Sequence, residues 1–171
     1  MPSTGVSTAM DERLLDVDQH GVLRPPWSLW FCTAFLLRHW ILLVVVAVTS
    51  MRSPGTAQWA LAALTPTTLL IEAPMWLLVG AWARRLPAGG PWARRLWQHG
   101  REVITATAAL NLAWSLSYLW GRDEWNPWPE RFIAILAGIE LGIIIGVWRS
   151  ALYRQLFREF PAPSATKGTL K

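Results

Sequence analysis

The sequence predicts an all-α, polytopic membrane protein with four transmembrane helices, both termini cytoplasmic, and a short cytoplasmic helical extension after the fourth span. Three observations predict it. Hydrophobic residues fill 53% of the 171 positions and charged residues only 16%, whereas soluble domains average about 25% charged. Thirteen tryptophans exceed what a core of this size needs, and indole rings collect where hydrocarbon meets headgroups. The apolar residues also fall into four runs, each close to the roughly 20 residues that cross a bilayer.

Residues 1–10 are rich in Ser and Thr and read as disordered. Asp11, Glu12, Asp16 and Asp18 follow, so the N-terminus lacks the basic opening and apolar stretch of a secretory signal. Leu23-Arg24-Pro25-Pro26 is held extended by its prolines. The runs are Trp27–Thr49, Trp59–Ala83, Val103–Trp120 and Phe132–Trp148. The third is diluted by Thr105, Thr107, Asn111, Ser115 and Ser117. It is still read as a span, because three spans would put the two strongly basic segments on opposite sides. In the second run, Pro66 and Pro74 are expected to break hydrogen bonding to the carbonyls of Ala62 and Leu70.

Basic residues orient the chain. The 84–101 connection carries Arg84, Arg85, Arg94, Arg95 and Arg101, and the C-terminal segment carries Arg149, Arg154, Arg158, Lys167 and Lys171. With Arg13 and Arg24, twelve lie on one side, against Arg52, Arg122 and Arg131 on the other. The richer side is cytoplasmic. The outer 121–131 connection reads as a Pro-stiffened hairpin with Trp125 and Trp128 at the interface. After the fourth run, Leu152, Tyr153, Leu156, Phe157 and Phe160 recur at helical spacing between Arg154 and Arg158, which predicts an amphipathic helix on the inner leaflet. The chain thus divides into a cytoplasmic segment (1–26), a transmembrane domain with its amphipathic extension (27–160) and a disordered tail (161–171).

Several function classes are disfavoured. The net charge of +5 sits beside apolar runs, so its expected partner is a bilayer with anionic headgroups, contacted by Arg84, Arg85, Arg94, Arg95 and Arg101, and not nucleic acid. Cys32 has no second cysteine to pair with, and His20, His39 and His99 share no ligand spacing, so neither a disulfide, a metal nor another cofactor is expected. No connection carries a nucleophile–base pair or a phosphate-cradling glycine loop, and no catalytic residue is assigned.

Four segments carry a resemblance. They are Asp18-x-x-Gly21-x-Leu23-Arg24-Pro25-Pro26, Leu37-Arg38-His39-Trp40, Leu96-Trp97-Gln98-His99-Gly100-Arg101, and Arg149-Ser150-x-Leu152-x-x-x-x-Phe157-x-x-Phe160-Pro161. Together they resemble the YfeZ-like family of uncharacterised four-span bacterial inner-membrane proteins, over about Asp16 to Pro161. The resemblance implies a bacterial inner-membrane location and no assigned activity. Glu72 departs from the small or apolar residues expected around the second-span proline.

Each run has a strong polar group near its middle: Arg38, Glu72, Asn111 and Glu140. At the helical rise, all four come out roughly 12–16 Å from the cytoplasmic edge, one layer. An ionised group at the bilayer centre costs at least about 2.5–3.5 kcal/mol on insertion scales, so these residues are expected to face one another or water. Arg38 with Glu72 is the expected pair. Glu140 then shares Arg38 or is protonated, and Asn111 donates to either. His39 is expected to point about 100° away from Arg38. In the fourth run, Ala134, Gly138, Gly142 and Gly146 form a small-residue stripe opposite Glu140, the kind of face on which helices pack closely in lipid.

The leading functional expectation is a non-enzymatic accessory or scaffold protein acting through helix contacts, with a membrane-protein partner or a second copy. The alternative is a small transporter or channel subunit whose polar layer relays protons or ions.

Overall fold

The computed structural model describes residues 22–52, 64–120 and 128–161. Seven α-helices and no strand occur among them: α1 (Trp27–Leu36), α2 (Arg38–Arg52), α3 (Pro66–Ala83), α4 (Pro91–Gln98), α5 (Gly100–Trp120), α6 (Pro129–Arg149) and α7 (Ala151–Arg158). The expectations for residues 1–21, most of the outer hairpin, the start of the second run and the tail from 162 lie outside the described residues.

Prolines set several boundaries. Pro26 is extended before α1, and Pro66, Pro91 and Pro129 open α3, α4 and α6, where the missing N–H costs no helical bond. Pro66 therefore starts a helix and interrupts none. Thr65 caps it by accepting from the Thr68 amide at 3.3 Å. Pro74 lies inside α3, which continues to Ala83.

The first run is not one helix. α1 and α2 meet at 67° across Leu37, a difference from the predicted straight span whose cause lies in the polar centre described below. Among the described helices, α6 alone is long and apolar enough by itself to cross a membrane, and α1 with α2 qualifies as a bent pair. The four separate spans of the sequence reading are therefore not all present as such helices. α5 covers the predicted third span but carries the polar residues that diluted it.

α5 and α6 form the most extensive pair, and α3 packs on α5. Arg101 and Thr105 at the start of α5 bond Trp148 at the end of α6, so these two helices run antiparallel. A core of Leu29, Leu36, Met75, Leu78, Trp97, Ile104, Val147, Leu156 and Phe157 fills one end of the bundle.

α7 closes that end. Its Tyr153, Leu156 and Phe157 are buried, and the Trp97 indole donates to the Leu156 carbonyl at 2.9 Å. Gly100 makes this fit possible: a Cβ there would stand 2.2 Å from Phe157 Cε1. The amphipathic extension thus turns its apolar side onto the bundle, and Trp97 is buried beneath it. Leu23 joins the same end, its amide donating to Glu159 Oε2.

The exterior carries most of the large apolar side chains, among them Val44, Leu70, Phe132 and Ile135, each more than half exposed. Glu72, Glu140 and Asn111 are inside.

Candidate functional site

Leu37 leaves helical geometry at φ −104° and ψ 16°. Such a break strands carbonyls at the end of α1 and amides at the start of α2. Two side chains use them. Arg38 Nη1 donates to the Phe35 carbonyl at 3.3 Å, and the His39 amide donates to Glu72 Oε2 at 3.1 Å. A carboxylate is well placed there, because a helix N-terminus carries partial positive charge.

The same residues then pair by side chain. Arg38 Nη2 donates to Glu140 Oε1 at 2.6 Å. His39 Nδ1 shares a proton with Glu72 Oε1, also at 2.6 Å. This corrects the expected Arg38–Glu72 pair. The angle between consecutive helical residues is real, but helices stand on both sides: Arg38 reaches α6 while His39 reaches α3. His39, left outside the predicted layer, is part of it. The one signal in the sequence was two basic residues side by side in an apolar run.

Both carboxylates are fully buried. Asn111 is buried with Thr107 and Ser115, each four residues apart on one face of α5. Asn111 Nδ2, Thr107 Oγ1 and Glu140 Oε2 have no protein hydrogen-bond partner among the described residues. Two carboxylates thus face one guanidinium and one imidazole, the pairing that buried charged groups require.

A cavity of about 440 Å³ reaches this centre. Arg38 and His39 line it, Thr65, Thr68, Ser115 and Tyr118 supply hydroxyls, and Trp114, Phe132, Ile133 and Leu136 make most of its wall apolar. It lies at the end of the bundle where α5 finishes and α6 begins, away from α7. Toward α7 the apolar core closes the path. Nδ1 of His39 is held by Glu72, so Nε2 is the ring nitrogen left without a hydrogen bond among the described residues.

The five arginines expected at headgroups divide into two kinds. Arg85 is buried, donates to the Leu23 carbonyl at 2.7 Å, and stacks over Trp97. Arg94 donates to the Pro161 carbonyl and Arg101 to that of Trp148. These three serve internal contacts, a correction for Arg85 above all. Arg84 and Arg95 are exposed.

The α6 stripe faces outward: Ala134, Gly138, Gly142 and Gly146 are exposed, and a Cβ on any of the three glycines would meet nothing within 4 Å. Gly142 and Gly146 border an apolar groove of about 420 Å³ with Cys32, Ile143 and Val147. No three of His, Cys, Asp or Glu among the described residues are grouped to hold a metal ion.

No curated protein matches the chain, and no solved structure does. A family profile, that of the proteins of unknown function DUF2919, matches residues 13–159. This covers most of the sequence, from the segment before α1 through α7, and the chain belongs to that family.

Proposed function

We propose that this chain is a four-span protein of the bacterial inner membrane, YfeZ-like, with both termini cytoplasmic, and that it works as a small proton-coupled transport subunit. The observation that carries the reading is His39, bonded to buried Glu72, in the wall of a cavity that also presents Arg38 and four hydroxyls among apolar side chains. Glu72 holds the imidazole through Nδ1 and leaves Nε2 without a hydrogen bond among the described residues, an arrangement that suits histidine to pass protons. Broken helices whose ends bind charged groups are a recurring transporter device. The apolar plug toward α7 argues against an always-open channel. A largely apolar exterior, together with the twelve-to-three bias of basic residues, supports the membrane placement.

The test is flux in liposomes loaded with a pH-sensitive dye, with a sodium or potassium gradient imposed. Wild-type protein should couple that gradient to lumenal pH. His39→Gln and Glu72→Gln, checked for retained helix content, should behave like empty vesicles. Wild-type flux no greater than that of empty vesicles would overturn the reading. The topology has its own test in a Cys32→Ser background: a cysteine at Asn126 should react with an impermeant reagent from outside, and one at Ala88 should not.

A second reading is favoured by the outward glycine face of α6. There the chain is an accessory protein that docks a membrane partner or a second copy along Ala134, Gly138, Gly142 and Gly146, since small residues let helices approach closely in lipid. Gly138→Leu with Gly142→Leu should abolish assembly and leave the fold intact, because both positions have room for a side chain. Unchanged assembly would refute it.

A further inference from the structure

α3 and α4 meet in a shallow cleft of about 620 Å³, lined by Leu77, Pro91, Trp92, Arg95, Leu96 and His99. Its polar side is unspent. Arg95 is exposed and makes no side-chain hydrogen bond or ion pair among the described residues. His99 Nδ1 donates to the Arg95 carbonyl at 2.8 Å, which fixes the ring and leaves Nε2 as its outward nitrogen. Arg84 stands 5.9 Å from the Trp92 ring on the same corner. Arg85, Arg94 and Arg101 are occupied by carbonyls elsewhere, so of the five arginines of the 84–101 connection the two exposed ones, Arg84 and Arg95, stand at this corner.

Its apolar side continues along α3. Leu77 is 57% exposed and Leu70, seven residues earlier on the same face, is 74% exposed. Trp92, 48% exposed, lines the cleft with Leu77 and Arg95, and indoles collect at the headgroup boundary.

We infer that the cleft is a binding site for one anionic phospholipid. The phosphate is held by the Arg95 guanidinium, which can grip two oxygens at once, beside Arg84 and the exposed edge of the His99 ring. An acyl chain lies along Leu77 and Leu70. A free phosphate would use the cations and leave the apolar strip uncovered, whereas a phospholipid uses both. The inference rests on the membrane-spanning reading, and does not depend on proton transport.

Native mass spectrometry after mild detergent extraction tests it, with protein reconstituted in equal phosphatidylglycerol and phosphatidylcholine. Wild type should retain phosphatidylglycerol selectively. Arg95→Gln should weaken retention about fivefold, the worth of one surface charge near anionic lipid, and Arg95→Gln with His99→Gln more. Leu77→Gln should weaken it while both cations remain. Millimolar inorganic phosphate should not displace the lipid. Equal retention by the double variant, or displacement by inorganic phosphate, would overturn the site. Release of the chain from membranes by alkaline carbonate would instead sink the spanning reading on which the site rests.

Discussion

Coupling between Arg38 and Glu140 can be measured directly. Arg38→Met leaves Glu140 without the 2.6 Å partner of Oε1 while Oε2 already lacks one, at a site that is fully buried. Glu140→Leu leaves Arg38 better provided for. Its side chain is 21% exposed, Nη1 keeps the Phe35 carbonyl, and the guanidinium sits 4.8 Å from the Phe35 ring centroid. Breaking a buried pair by removing one partner costs about 3–5 kcal/mol, and replacing both partners by apolar residues is often close to neutral. Arg38→Met should therefore fall near the top of that range and Glu140→Leu nearer the bottom. With charge centres about 4 Å apart and an effective dielectric near 20, the pair itself is worth about 4 kcal/mol. The double variant should recover about 2–4 kcal/mol relative to the sum of the singles, read by reversible unfolding in mixed micelles. The same cycle for Arg38 with Glu72 should give a smaller coupling. Losses that add to within about 0.5 kcal/mol would mean that the two side chains do not meet. A larger coupling with Glu72 would return the pairing to the simpler expectation.

Three further outcomes follow from the end of the bundle closed by α7. Gly100→Ala forces Phe157 aside, since the new Cβ would lie 2.2 Å from its ring, and should cost about 1–3 kcal/mol; adding Phe157→Leu should return part of it, and an unchanged melting temperature for Gly100→Ala would refute the contact. Arg85→Gln removes a charged bond to the Leu23 carbonyl and should lower stability by about 1.5–3 kcal/mol, with faster proteolysis near Arg24; a change only in lipid binding would restore Arg85 to the headgroups. Burial pushes the Tyr153 hydroxyl up to about 12, partly opposed by its bond to Ser28. An unfolded tyrosine loses its proton near pH 10, so the stability from folded, protonated Tyr153 is complete below pH 10 and is lost as pH rises toward 12. Tyr153→Phe should flatten that alkaline decline, and an identical decline in the variant would refute the assignment.

The features legible in the sequence are those with local causes. Pro26 before α1, and Pro66, Pro91 and Pro129 at the first positions of their helices, act within one turn, and the helical spacing of Tyr153, Leu156 and Phe157 foretells a helix with one buried side. What that side meets has no local cause. Whether it faces lipid or protein depends on Gly100, 57 residues earlier, giving Phe157 a seat. α4 was hidden for a similar reason. Its arginines look like an orientation signal for the whole connection, and only the buried Ala93 and Trp97 reveal a helix packed onto α3.

The break at Leu37 is the instructive failure. Nothing near it is a proline or glycine, so a straight helix was the local expectation. The bonds that replace the helical ones come from afar: Glu72, 33 positions away, takes the His39 amide. The polar layer and the broken helix are therefore one feature. A straight first helix would satisfy its own amides and leave Glu72 with no donor but a side chain. Breaking it offers the carboxylate an amide and an imidazole together, and turns Arg38 and His39 toward different helices. The two acids then have one arginine and one histidine between them. His39 lines the cavity, so the interaction that stabilises the break also exposes the centre to whatever enters there.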